Sequence, residues 1–124
     1  MQRIRLTKEF KFEMAHALKG YDGLCRNIHG HSYELLVTIK GVPISDPSSA
    51  KLGMVMDFGD LKKIVRKNIV DEFAHALVLN RESANDYTIE GEMFGRTILV
   101  DYQPTSENML IDFAARLKSQ LPAN

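Results

Sequence analysis

Between Arg3 and His16 the chain alternates with a period of two. Ile4, Leu6, Phe10, Phe12 and Met14 fall on one side, Arg5, Thr7, Glu9, Lys11 and Glu13 on the other, and only Lys8 breaks the apolar side. Alternation of this kind predicts a strand buried on one face. Carried to its end, the pattern puts His16 on the apolar face. A glycine-bearing loop, KGYDGLCRN, follows, and then a second strand from about His29 to Lys40. Its apolar-side positions are His29, His31, Tyr33, Leu35, Val37 and Ile39.

The pattern then changes. Residues 41–53, GVPISDPSSAKLG, hold two Pro, two Gly and three Ser and read as a loop. MVMDF is expected to be a short strand running into a helix start, with Asp57 as N-cap and Asp60 as a weak capping-box partner. Phe58, Leu61, Ile64, Val65, Ile69 and Phe73 recur at helical intervals and predict a helix over 58–72. From Arg81 to Asp101 only RTILVDY has strand character. TSENMLIDFAARLKSQL is helical, with Leu110, Phe113, Ala114, Leu117 and Leu121 on one face and Thr105 or Ser106 as N-cap. Strands and helices separated by long loops argue for an α+β fold, not a doubly wound parallel sheet.

Composition narrows the class. The 124 residues suit a single domain over 1–124. Sixteen basic residues balance sixteen acidic ones, so no net field favours nucleic acid or an anionic membrane. The single cysteine excludes an intrachain disulfide. The N-terminus does not read as a signal peptide, and no apolar run approaches the roughly 20 residues that span a bilayer. A soluble, cytoplasmic protein is expected.

The chemistry concentrates in LCRNIHGHSYELLV. Residues two apart on a strand point the same way, so His29 and His31 leave one face about 7 Å apart at Cα. If the two strands pair antiparallel, His16 approaches the same point. Three neutral imidazoles with one position open is the pattern of a catalytic zinc site. An H-x-H pair alone is weak, and a single histidine is more often a surface or satisfied core residue; the third histidine makes the difference. Cys25 could be a small hydrophobe under a loop. Beside Arg26 and a metal cation it would instead carry thiolate character, able to coordinate, attack or take a proton. His75 is either a helix-end histidine that favours the dipole or a general acid or base opposite Cys25.

In order, F-x-F-x-x-A-H ending at His16, C-x3-H-G-H, M-D-F, H-A-L-V-L-N and P-T-S-E-N resemble the 6-pyruvoyltetrahydropterin and 6-carboxytetrahydropterin synthase family from Phe10 to about Leu121. The resemblance implies a tunnelling fold: an antiparallel sheet with two helices on one face, assembled as trimers or hexamers. It implies zinc on His16, His29 and His31, with Cys25 as proton-abstracting base and His75 in its catalytic set. The implied substrate is 7,8-dihydroneopterin triphosphate, with Thr105, Ser106 and Glu107 near the pterin ring, where a carboxylate suits paired N–H donors. The three-residue gap from Cys25 to His29 resembles the carboxytetrahydropterin branch of the deazapurine (queuosine) route; the pyruvoyl branch has a longer gap.

Two departures bear on activity. The family pattern reads Asp-His where this chain has Ala74-His75, and an orienting carboxylate matters to a proton-transferring histidine. Asp71, four residues earlier, substitutes if the helix continues. The family pattern also runs on into a further strand with a pterin-anchoring glutamate, beyond SQLPAN. The rival readings are the pyruvoyl synthase, a non-catalytic pterin- or zinc-binding homologue, and a simple three-histidine zinc hydratase.

Overall fold

Two long strands organise the computed structural model, which describes residues 1–122. β1 (Ile4–His16) and β2 (His29–Gly41) pair antiparallel along their whole lengths, from Ile4 opposite Gly41 to His16 opposite His29. Residues opposite one another in such a ladder share a face. Phe10 with Leu35, Phe12 with Tyr33 and Met14 with His31 therefore form one tier. Phe10, Phe12, Met14, Leu35 and Val37 are buried there, while Glu9, Lys11, Glu13 and Glu34 on the other face are exposed. Lys8, the exception in the alternation, holds its amine 5.9 Å from the ring centroids of both Phe10 and Phe58. Its stem covers apolar surface and its charge stays over aromatic faces.

Two short strands, β3 (Leu77–Asn80) and β4 (Thr97–Val100), complete a sheet of order β2–β1–β3–β4. β3 joins β1 in parallel at only two pairs, Ala15–Leu77 and His16–Val78, and β4 runs parallel to β3 along its length. The α+β tunnelling-type architecture is as expected, but the sheet is mixed, not wholly antiparallel. The connection over 81–96 is long enough to return β4 in the same direction as β3. MVMDF does not form a strand: Ile44 exchanges backbone bonds with Gly53 and Met54, and no ladder grows from them.

Both helical segments pack on the apolar face. α1 (Phe58–Val65) starts at Asp57, whose carboxylate accepts from Gly59 N at 2.6 Å. It runs through a π-type turn, Arg66–Val70, into a last turn, α2 (Asp71–Phe73). The widened turn is satisfied from the side: Arg116 Nη1 donates to Asn68 O at 3.1 Å. Leu61, Val65, Ile69 and Phe73 are completely buried. α3 (Ser106–Lys118) is capped by Thr105, whose Oγ1 accepts from Asn108 N at 3.2 Å. Its buried stripe is Met109, Phe113 and Leu117; Leu110 and Ala114, expected inward, are exposed. The register is set by Phe113, whose ring meets Phe73 edge-on at 5.0 Å, and by Arg116, which lies 4.9 Å above Phe73. Among the described residues, no helix is long and apolar enough to cross a membrane.

Candidate metal centre

The β1–β2 register brings three imidazoles to one end of the sheet. His16 lies opposite His29, and His31 follows two residues along the same face. Ring centroids are 4.6 Å apart for His16–His29, 4.8 Å for His29–His31 and 5.2 Å for His16–His31. One nitrogen from each lies within 4.8 Å of the others. His16 is buried, His29 half-buried and His31 exposed, so the cluster opens to solvent on the His31 side.

Hydrogen bonding fixes which nitrogens are free. His16 Nδ1 lies 2.8 Å from the Pro104 carbonyl and His29 Nδ1 lies 2.7 Å from the Asn27 carbonyl. A carbonyl only accepts, so each Nδ1 carries the proton and each Nε2 presents a lone pair. Both Nε2 atoms are buried with no partner. A buried unsatisfied acceptor costs about 1–3 kcal/mol, and the fold holds two of them side by side. Burial also lowers the His16 pKa, with repulsion from His29 and His31 adding to it and the Pro104 bond opposing it. The neutral form that ligates a metal is therefore favoured. The donor set fits a divalent ion such as zinc, each Nδ1–H held by a backbone carbonyl as an outer shell.

Tyr33 is a neighbour that the apolar pattern registered only as a core position. Its ring stacks on Phe12 at 5.5 Å and meets His31 and His16 edge-on at 5.6 and 6.3 Å. Its hydroxyl is buried without a partner, and burial raises the phenol's pKa.

The remaining site residues fall outside this three-histidine group. Cys25 is half-buried in a single helical turn, Leu24–Arg26, of the β1–β2 loop, and its carbonyl accepts from Leu18 N at 2.9 Å. Its sulfur is not part of the three-nitrogen cluster. His75 is exposed and lines a shallow concavity of about 370 Å³ with Glu13, Gly30, His31 and Ser32. Glu13, Gly30 and Ser32 belong to the outward face of the sheet, and of the three clustered histidines only His31 lines this concavity. Asp71 does not approach His75 in the expected way. The helix ends at Phe73, Ala74 is extended and His75 turns left-handed, which breaks the four-residue spacing; no Asp71–His75 bond exists among the described residues. Thr105 serves as the α3 cap, while Ser106 and Glu107 are exposed on its first turn. Pro104, one residue earlier, joins this segment to His16. The Pro104 and Asn27 carbonyls carry no side-chain signal that sequence could reveal.

Comparison with known proteins gives the same grouping. The model of the 6-pyruvoyl tetrahydropterin synthase family matches residues 5–124. A Haemophilus influenzae 6-carboxy-5,6,7,8-tetrahydropterin synthase is 40% identical over 117 residues, covering 92% of this chain and 82% of the relative. The structure of Caenorhabditis elegans 6-pyruvoyl tetrahydropterin synthase superposes with a TM-score of 0.64 at 29% identity, covering all of this chain and 82% of that one. The uncharacterized protein WS1659 from Wolinella succinogenes shares the fold at a TM-score of 0.73 and 18% identity, over 97% of this chain and 86% of that one. Ordered motifs, sheet register and family match agree, and the chain belongs to the 6-pyruvoyl tetrahydropterin synthase family.

Proposed function

We propose that this protein is a zinc-dependent lyase that converts 7,8-dihydroneopterin triphosphate and one water to 6-carboxy-5,6,7,8-tetrahydropterin, acetaldehyde and triphosphate. The observation that carries the reading is the pair of buried, partnerless Nε2 atoms on His16 and His29 beside His31. The three-residue gap between Cys25 and His29 and the 40% identical relative of that name favour the carboxy branch.

His16, His29 and His31 would hold the zinc, with the Pro104 and Asn27 carbonyls keeping two of the rings in the ligating tautomer. Bound there, zinc supplies a Lewis acid that lowers the pKa of substrate hydroxyls and of the adjacent C–H. Cys25 accepts the proton from that carbon at Sγ, and His75 exchanges protons as its acid–base partner. Glu107 accepts the paired N–H donors of the pterin ring. Thr105 Oγ1 already accepts from Asn108 N, which leaves its own O–H free to donate to the ring.

The same reading makes the protein a cytoplasmic homo-oligomer, trimer or hexamer, without nucleic-acid or membrane partners. Among the described residues, the edge of β1 facing away from β2 has no ladder partner over Ile4–Phe12. A long open edge of that kind favours joining to another chain.

A second reading, a pterin- or zinc-binding homologue without turnover, draws on the missing carboxylate: no acidic side chain bonds to His75 among the described residues. Incubation of the zinc-loaded protein with dihydroneopterin triphosphate separates the two. Acetaldehyde and triphosphate release supports the lyase; triphosphate release with a retained three-carbon side chain means the pyruvoyl reaction. Pterin binding without product, in wild type and in Ala74→Asp, leaves the binding reading.

A further inference from the structure

We propose that Arg96 is a positioning residue for His75, an assignment that rests on His75 taking part in the chemistry of this site. His75 is the only non-glycine residue with positive φ among the described residues, at +61°. An L side chain occupies that region at a cost and stays there only where its surroundings enforce it. No side-chain hydrogen bond holds the His75 ring among the described residues, and Ala74 offers it no carboxylate. The direction of the ring is therefore set by its backbone.

That backbone is held from two sides. On the sheet side, His75 N donates to Glu13 O at 2.7 Å and Ala15 N donates to Ala76 O at 2.9 Å. On the helix side, the last carbonyls of α2 lack intrahelical donors, as at any helix end. Arg96 Nη2 donates to two of them, Asp71 O and Glu72 O, each at 3.1 Å, and to Ala74 O just beyond the helix at 2.8 Å. The Ala74 carbonyl lies in the peptide plane that precedes His75. Fixing that plane fixes the reference about which φ of His75 is defined, so the clamp acts directly on the unusual torsion. A cation at this end also complements the helix dipole.

Arg96 is anchored to do this. Its own carbonyl accepts from Leu77 N at 3.1 Å, and the next residue, Thr97, opens β4 opposite Leu77. The segment 81–96 thus returns to the helix end with a guanidinium already in register. All three bonds come from one nitrogen, so a lysine ammonium has donors enough, and Arg96→Lys tests whether the longer guanidinium is needed to bring them to these carbonyls.

Amide hydrogen exchange on the full-length, zinc-loaded chain tests the clamp, with wild type, Arg96→Lys and Arg96→Ala compared. The expected result is exchange at His75 and Ala76 at least tenfold faster in Arg96→Ala, intermediate in Arg96→Lys, with Leu35 and Val37 unchanged and one zinc retained per chain. Turnover should lose at least tenfold in kcat with KM within twofold. Unchanged exchange at His75, or equal acceleration at every amide, overturns the positioning role. If His75→Ala turns over like wild type, the reading of His75 itself fails, and exchange still reports on the clamp separately.

Discussion

Replacing His29 with Leu should move stability in opposite directions with and without metal. In the metal-free protein, His29 Nε2 is a buried acceptor with no partner, a burden of about 1–3 kcal/mol. The substitution removes that atom. It also removes the Nδ1–H bond to the Asn27 carbonyl, a loss of about 0.5–1.5 kcal/mol; the carbonyl belongs to an exposed residue and can turn to water. The sum is a gain of about 1 kcal/mol, or about 3–5 °C in Tm for a chain of this size. In the metal-loaded protein the same change removes one of the three proposed ligands, and every degree of zinc-dependent stabilisation should go with it. Thermal melts in chelator and in excess zinc, for wild type and His29→Leu, measure both effects. A variant several kcal/mol less stable than wild type in chelator would show that the ring is a packing element. A variant that zinc still stabilises as strongly as wild type would remove His29 from the ligand set.

Other expectations concern the same frame. Burial lowers the His16 pKa below its ordinary 6.5, so between those two values the unfolded chain holds the proton that the folded chain refuses. His16 thus contributes stability fully above pH 6.5 and loses it as the pH falls toward the folded value. Urea midpoints in chelator from pH 8 to pH 5 should show wild type losing ground against His16→Leu, and a constant difference would contradict this. Cys25→Ala should retain one zinc per chain, because Cys25 lies outside the ligand group, and should stop turnover; elemental analysis with a product assay reads both. Thr105→Ala removes the α3 cap and should cost about 1 kcal/mol in denaturant titration, with Thr105→Ser close to wild type.

The parts of the molecule that follow a strict local period could be read from the chain. β1 and β2 announce themselves by alternation, and the cluster follows because His29 and His31 are two apart while His16 ends the opposing apolar row. β3 could not be read, since LVLN is a short apolar run with no alternation to separate strand from helix. On α3, Phe113 and Leu117 face inward as the pattern has them, but Met109 is buried in place of Leu110, because Met109, Leu110 and Ile111 are consecutive. Two stripes fit the pattern, and only contact with Phe73 chooses between them. The helix end at Phe73, which separates Asp71 from His75, is illegible for a related reason. FAHAL holds neither Gly nor Pro to announce the helix end, yet His75 N leaves the helix to pair with Glu13 O. That choice is tertiary, and no window of sequence around it contains the partner.

The bond from His16 to Pro104 spans 88 positions, whereas the other two rings sit on the adjacent strand of a hairpin. A nascent hairpin can gather all three imidazoles early, since nearby pairings form fastest. Without Pro104, however, the first ring is free to carry its proton on either nitrogen. Only when the C-terminal helix docks does the distant carbonyl choose the tautomer. On the proposed zinc reading, an ion would meet its final geometry only on a chain that has finished folding.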